Sequence, residues 1–206
     1  MFALIENQQI TKHLSGNRGI TLGDIQYPRS IFTLWSEAER NAIGIFEVTV
    51  DTTNKKDEQW YINTNVSYGV ESNKAVGSYG TATAKAHADT LWTQADSDNG
   101  DLPSDKSVGD VKVEGLKTTL IRTVKAQAAG ILQDTDWYIV RKADAGTAVP
   151  SSITTHRAAV RTKAAAQETQ ITNAADTPAL ETLYTYTRDG DGVQSRPLGE
   201  LPTLES

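Results

Sequence analysis

The chain has 206 residues and no cysteine, so it is long enough to bury a hydrophobic core and cannot form disulfides, thiolate metal sites or a cysteine nucleophile. Its 20 basic and 26 acidic residues give a formal net charge of -6, which argues against a general surface for nucleic acid or for anionic membranes. The first residues lack the basic region of a signal peptide, and no apolar run reaches the length of a membrane span. The sequence therefore predicts a soluble protein that is made in the cytoplasm.

The first part of the chain predicts a β-rich N-terminal domain over residues 1–95. Residues 2–5 and 10–14 are short apolar or alternating runs around a polar turn, which predicts a hairpin. Residues 20–27 predict a further strand, and Pro28 ends it because proline has no N–H to donate.

A short helix and a second hairpin are predicted next. Ser36 and Glu39 have the spacing of a capping box, which predicts a helix start, and Gly44 is expected to end that helix. Residues 45–50 and 60–68 are rich in β-branched and aromatic side chains, so they are expected to pair around the polar segment between them.

A polar linker is predicted over residues 96–109, where Asp, Ser, Gly and Asn replace the apolar anchors. The hydrophobic period then changes to that of a helix, and residues 110–187 are expected to form a helical domain. Within it, residues 110–175 predict an antiparallel helical hairpin, with residues 137–140 at its corner as a possible short strand. A last short helix is expected at residues 178–184.

An extended C-terminal arm is predicted over residues 188–206, because this segment has too few apolar residues to offset its own ordering entropy. Leu198, Leu201 and Leu204 are expected to hold the arm against a neighbouring subunit. The predicted fold class is α+β: a small β-rich N-terminal domain, a polar connector, and a C-terminal antiparallel helical hairpin that carries the arm.

The most informative motif lies at the corner of the helical hairpin. Asp136 and Trp137 follow the end of one helix, and Arg157 and Arg161 lie four residues apart on the next, on one helix face. A carboxylate or an indole can engage both arginines, and Asp134, Asp136 and Trp137 are the nearest candidates. The alternative is that the arginines form a solvated face. Trp137 is expected to be buried in the core in either case.

This Asp-Trp, spacer, x-Arg-x-x-x-Arg arrangement resembles the signature of the phage tail assembly chaperone family and of related segments in phage tail-fibre and baseplate proteins. The resemblance covers about a quarter of the chain. The second motif of that family is usually Tyr-Arg-x-x-Leu-Arg, and here His156 replaces the tyrosine and Val160 replaces the leucine. A looser resemblance to the start of tail-fibre and baseplate accessory proteins lies in residues 35–40, with Gly44 and Ile45 after them.

No catalytic or metal-binding pattern emerges from the sequence. The three histidines are His13, His87 and His156, and none has a second histidine at helical spacing. Asp189-Gly190-Asp191-Gly192 is similar to the start of a calcium loop, but turn statistics favour a flexible Asp-Gly turn. We therefore expect no enzyme activity, no metal and no cofactor.

The sequence and its resemblances predict a structural component of a bacteriophage tail, in the tail-fibre, baseplate or tail-adaptor region. The expected partners are other tail proteins in a symmetric multi-copy assembly, and the expected location is the virion after assembly in the host cytoplasm. The alternative is a tail or tail-fibre assembly chaperone that is absent from the mature particle. A third class, a soluble host enzyme or a sugar-binding module, would require a pocket with convergent polar groups. The tryptophans, Trp35, Trp60, Trp92 and Trp137, are candidates for interface anchors, for carbohydrate contacts or for core residues.

Overall fold

Strands dominate the first part of the chain and helices the second, and a computed structural model describes residues 1–204. The α+β class is therefore confirmed. The chain forms two compact units, Met1–Thr83 and Ala84–Ser206. The division falls before the predicted linker, so the expected domain limits at residues 95, 109 and 187 differ from the observed one.

The first unit contains short strands and two short helices. The strands are β1 (Phe2–Glu6), β2 (Gln9–Leu14), β3 (Ile20–Leu22), β4 (Ile25–Tyr27), β5 (Ile45–Asp51), β6 (Tyr61–Ile62), β7 (Val66–Glu71) and β8 (Lys74–Tyr79), with β9 (Thr83–Ala84) at the boundary. The helices are α1 (Ile31–Leu34) and α2 (Glu37–Ala42). The capping box predicted for α2 is present, since Ser36 and Glu39 exchange hydrogen bonds, and Gly44 follows with φ of +81°.

A mixed five-stranded sheet, in the order β2-β1-β5-β8-β7, forms the frame of this unit. The predicted hairpin of β1 and β2 is confirmed, with Asn7 and Gln8 at positive φ in its two-residue turn. The two edge strands of the sheet approach each other, because the rings of His13 and Tyr68 lie 4.7 Å apart and Gln8 Nε2 donates to Asn73 Oδ1 at 2.8 Å. The sheet is thus strongly curved.

The predicted hairpin between residues 45–50 and 60–68 is wrong. Strand β5 pairs antiparallel with β1 and parallel with β8, whereas β7 pairs with β8. The intervening segment closes on itself, since the Asn63 side chain bonds both the N–H and the carbonyl of Lys56, at 2.9 and 2.8 Å. Strand β7 is instead held to β8 by a tight turn at Ser72 and Asn73, both at positive φ.

The core of the first unit lies between the sheet and the first helix. Its buried residues are Leu4, Leu14, Ile31, Phe32 and Ile45, and the rings of Phe2 and Phe32 lie 5.0 Å apart beside them. The short strands β3 and β4 pair with each other and add partly buried side chains to this cluster.

The second unit contains most of the helix. The helices are α3 (Gln94–Asp98), α4 (Leu116–Gln133), α5 (Asp136–Ala145), α6 (Ser151–Asn173) and α7 (Thr177–Tyr184), and the short strands are β10 (Thr90–Leu91), β11 (Val111–Val113), β12 (Thr187–Arg188) and β13 (Gln194–Ser195). None of the helices within residues 1–204 is long and apolar enough to cross a membrane.

The segment predicted as a linker is folded into this second unit. Thr93 and Asp96 form a capping box at the start of α3. Asp96 accepts hydrogen bonds from the backbone and side chain of Thr93, at 2.8 and 2.6 Å, and from Lys112 Nζ at 2.5 Å. Strand β11 pairs with β10, which closes the polar segment between them. Polar side chains order this region, which is why its lack of apolar residues led to the wrong prediction.

Residues 85–89, which were expected in the N-terminal domain, contact the helices of the second unit. Leu116 N–H donates to the carbonyl of Ala86 at 3.0 Å, and Thr177 Oγ1 donates to the carbonyl of Lys85 at 2.6 Å. Gly115 lies so close to this segment that an added Cβ would be 2.3 Å from the carbonyl carbon of Ala88.

Helices α4 and α6 pack against each other and run antiparallel. Arg157 near the start of α6 donates to the carbonyl of Leu132 at the end of α4, and Lys117 at the start of α4 donates to the carbonyl of Thr172 at the end of α6. The buried seam of the pair consists of Leu120, Val124, Ala128, Ile153, His156, Arg157, Val160, Ala164, Gln167 and Ile171. The small alanines in this seam let the two helices approach closely.

Candidate interaction surface

Arg157 fixes the corner between α4 and α5. Its side chain is 9% exposed, and its Nη1 atom donates to the Leu132 carbonyl at 2.7 Å and to Thr135 Oγ1 at 2.6 Å. Its Nη2 atom lies 2.8 Å from Asp136 Oδ1. The last turn of α4 contains no basic residue, so Arg157 from α6 supplies the cation that the negative end of that helix favours.

The expectation that both arginines engage a carboxylate holds for Arg157 alone. Arg161 is exposed and forms no ion pair with a residue in the range 1–204. Arg161 lies beside the buried seam of α6 that contains Arg157 and Val160, and its side chain is in solvent. The solvated-face interpretation therefore applies to Arg161.

Trp137 is not buried, contrary to the prediction. The corner is a helix rather than a short strand, and α5 contains no buried residue. Trp137 is 51% exposed, and Ile139 and Val140 are 44% and 64% exposed. Thr135, which is only 3% exposed, and Arg157 fill the space next to the turn between α4 and α5. The core therefore does not cover α5, which begins at Asp136.

The side chains of Trp137, Tyr138 and Arg141 on α5 pack against one another. The rings of Trp137 and Tyr138 lie 3.9 Å apart, and the Arg141 guanidinium carbon lies 4.6 and 5.4 Å from their centroids. We call Trp137, Tyr138, Ile139, Val140 and Arg141 the α5 surface. Aromatic residues and arginine concentrate binding energy at protein interfaces.

The other tryptophans are less available as interface anchors. Trp60 is 3% exposed, and Trp35 is half-buried against the core of the first unit. Trp92 is half-buried, with Lys112 Nζ 4.3 Å from its ring centroid. Trp137 is thus the most exposed of the tryptophans in the described part of the chain.

The C-terminal segment folds back onto its own unit. Leu198 is 1% exposed, its N–H donates to the carbonyl of Leu183 at 3.0 Å, and Gln167 Nε2 donates to the carbonyl of Gly199 at 2.9 Å. Leu198 is therefore not free to hold the arm against a neighbouring subunit. Leu201 is half-buried and Leu204 is 47% exposed, so only Leu204 is largely open to a partner. The last two residues of the predicted arm, 205 and 206, lie outside the described residues.

A cluster that the sequence analysis missed anchors this segment. Arg196 lies over the rings of Tyr184 and Tyr186, at 5.3 and 5.2 Å, and its Nε and Nη2 atoms lie 2.7 and 2.8 Å from the two carboxylate oxygens of Glu200. Tyr186 Oη also donates to Glu200 at 2.6 Å. The available signal was the spacing of four residues between Arg196 and Glu200.

Hydrogen bonding decides the protonation of this cluster. Burial by itself raises the pKa of Glu200, but the hydrogen bonds from Tyr186 and Arg196, together with the charges of Arg196 and Lys163, outweigh it and hold that pKa below its ordinary value. The hydrogen bond to Glu200 and burial raise the pKa of Tyr186. Glu200 is thus an ionised acceptor and Tyr186 a neutral donor near neutral pH.

The residues considered for metal binding do not come together within residues 1–204, where no group of three or more His, Asp or Glu side chains has the geometry to hold a metal ion. In the Asp189–Gly192 segment, Asp189 Oδ1 accepts the N–H groups of Asp191 and Val193, at 3.0 and 2.9 Å. This is the hydrogen-bond pattern of an Asp-Gly turn.

Comparisons of the chain with models of protein families, with curated proteins and with solved structures found no match. The function therefore has to be argued from the α5 surface and from the residues that position it. Those residues include Asp136, Trp137 and Arg157, which the sequence analysis singled out for their resemblance to phage tail proteins.

Proposed function

We propose that this protein is a structural component of a bacteriophage tail, in the tail-fibre, baseplate or tail-adaptor region, and that it acts through protein-protein contacts. The α5 surface is the observation that carries the proposal. It places Trp137, Ile139 and Val140 in solvent on a helix whose start is fixed by the buried Arg157. Large apolar side chains left in solvent beside an ordered aromatic pair are typical of an interaction site.

The anchoring of α5 favours a stable interface over an adaptable one. Arg157 joins the end of α4 to the start of α5 through three donated contacts, so the α5 surface is held in one orientation before a partner binds. A preorganised surface loses less side-chain and backbone entropy on association. Repeated, identical contacts of this kind suit a multi-copy symmetric assembly.

A tail or tail-fibre assembly chaperone is the second candidate. The resemblance to that family lies in residues at the corner between α4 and α5, namely Asp136, Trp137 and Arg157. A chaperone would use the same α5 surface during morphogenesis and would then leave the particle. The two candidates differ in whether the chain remains in purified tails.

The test combines particle composition with a surface variant. Val140→Asp places a charge on the α5 surface at a residue that is 64% exposed, and Val193→Asp is the matched control at a residue that is 59% exposed elsewhere in the same unit. The measurement is quantitative mass spectrometry of tails purified from cells that carry the gene. We expect the wild type and Val193→Asp to be present at a fixed stoichiometry and Val140→Asp to be depleted.

Three other outcomes would change or contradict the proposal. Recovery of the wild type in lysate complexes with a tail protein, and its absence from purified tails, would favour the chaperone. Normal incorporation of Val140→Asp would contradict the role given to the α5 surface. Absence of the wild type both from tails and from complexes with tail proteins would contradict a tail function altogether.

A further inference from the structure

A cavity of about 480 Å³ lies within the second unit, between the end of α4, the middle of α6 and the C-terminal segment. Its lining residues are Gln127, Gly130, Ile131, Asp134, Gln167, Arg196, Glu200 and Leu201. The volume is in the range of pockets that bind small ligands or a single inserted side chain. None of the contacts that build the α5 surface uses this cavity.

Gln167, which lines the cavity, has a buried acceptor atom without a donor among the described residues. Gln167 is 2% exposed, and its Oε1 atom has no hydrogen-bond partner within residues 1–204. Its Nε2 atom donates to the Gly199 carbonyl at 2.9 Å, which fixes which end of the amide is the oxygen. A buried acceptor without a partner costs free energy, and a ligand that donates a hydrogen bond would remove that cost.

Among the charged side chains of the lining, the Asp134 carboxylate is the one without an ion pair within residues 1–204. Asp134 is the C-cap residue of α4, and that helix has no basic residue in its last turn. Arg157 already compensates that helix end, so the Asp134 carboxylate is the negative group on this side of the cavity that has no ion pair among the described residues. The charge of Arg196, the cation in the lining, is offset by its two contacts with Glu200.

Apolar side chains complete the cavity. Ile131 and Leu201 provide walls that an aliphatic stem can contact, and an added Cβ on Gly130 would have no neighbour within 4 Å. The cavity therefore combines an apolar wall with acceptors and with one carboxylate that makes no ion pair among the described residues.

We propose that this cavity binds a guanidinium or ammonium group on an aliphatic stem, with Asp134 as its counter-ion and Gln167 Oε1 as a hydrogen-bond acceptor. The group is either part of a free small cation or the side chain of an arginine or lysine of a partner protein. Both sources share the same chemistry, and the experiment separates them.

The test is a titration of the full chain, followed by the NMR signals of the Gly130 and Ile131 amides and of the Gln167 side-chain amide. The probes are ethylguanidinium and butylammonium, with N-ethylurea as the uncharged control. We expect saturable shifts with at least one cation and none with the urea. Asp134→Asn should weaken binding about fivefold, which corresponds to about 1 kcal/mol for a solvent-accessible ion pair.

Two pairs of variants make the result specific. Gly130→Phe fills the cavity and should abolish the shifts, whereas Gly130→Ala, which has open space for its methyl group, should retain them. Asp144→Asn, at an exposed carboxylate on α5, should leave the affinity unchanged. Equal shifts with N-ethylurea, equal affinity in Gly130→Phe, or no saturable shift with either cation would overturn the proposal.

The source of the group is decided by a second titration. It compares butylguanidinium with an acetyl-Gly-Arg-Gly amide peptide, which carries the same single charge, and uses the same peptide with citrulline as the uncharged control. Tighter binding of butylguanidinium would indicate a free small cation, and tighter binding of the arginine peptide would indicate a partner's side chain. Binding of the citrulline peptide as tightly as the arginine peptide would overturn the role of charge.

Discussion

The Nη2 atom of Arg157 lies 2.8 Å from Oδ1 of Asp136, but the two side chains are in different environments: that of Arg157 is 9% exposed and that of Asp136 is 57% exposed. The asymmetry determines which partner matters for stability. A buried guanidinium must keep its hydrogen-bond acceptors, whereas an exposed carboxylate can exchange its partner for water.

Removal of Arg157 should therefore cost much more than removal of Asp136. Arg157→Ala removes a buried side chain together with the donor to Thr135 Oγ1 and one of the donors to the Leu132 carbonyl, so we expect the free energy of unfolding to fall by about 3 kcal/mol. Asp136→Asn should cost at most about 1 kcal/mol. Urea denaturation measures both, and Arg161→Ala on the same helix is the control, expected within about 0.5 kcal/mol of wild type. Equal losses in the Arg157 and Asp136 variants would contradict the asymmetry.

Trp137→Ala should be far milder than a core substitution. Because the side chain is half exposed, we expect a loss of about 1 kcal/mol in place of the 3–5 kcal/mol expected for a buried aromatic residue. Leu180→Ala, at a fully buried residue of the same unit, should cost about 2–5 kcal/mol. Thermal unfolding compares the two variants. A larger loss from Trp137→Ala than from Leu180→Ala would show that α5 is covered by the protein's own core.

Two glycines of α4 should respond in opposite directions to alanine. At Gly115, the N-cap, a methyl group would collide with the backbone of Ala88, so Gly115→Ala should destabilise by about 1–3 kcal/mol. At Gly130 the space is open, and alanine should stabilise the helix by about 0.5–1 kcal/mol. Chemical denaturation of both variants is the measurement. Destabilisation by Gly130→Ala of the same size would mean that the end of α4 is not helical.

The capping of α3 should depend on acid pH. The hydrogen bond from Lys112, which has the largest effect, and the hydrogen bonds from Thr93 lower the pKa of Asp96 from 3.8 to about 2. A lowered pKa means that the folded state binds the proton less well than the unfolded state. The stabilisation is therefore complete above about pH 4 and is lost as the pH falls through about 2.

The carboxyl carbon of Asp96 and the amide of Thr93 report this titration by NMR. In Lys112→Met the pKa of Asp96 should rise toward its ordinary value, because the hydrogen bond that lowers it most is lost. An ordinary pKa for Asp96 in the wild type would show that the predicted linker region is open in solution.

Local signals determined several elements from the sequence alone. The capping box of Ser36 and Glu39, the hairpin of residues 2–14, and the helical stripes of α4 and α6 depend on residues a few positions apart. The energies that fix such elements act within one turn or one strand pair, so they are visible in the order of the residues.

The tertiary structure decided the rest, because burial and strand pairing depend on what arrives from elsewhere in the chain. The partners of β5 were decided by β1 and β8, and the place of Leu198 was decided by α6 and α7. The sequence indicated that one motif contains Asp136, Trp137, Arg157 and Arg161. It did not show which of these side chains are buried and which are exposed. Arg157 occupies the space at the corner between α4 and α5, so Trp137 remains in solvent, and only the packed helices show which of the two side chains is buried there.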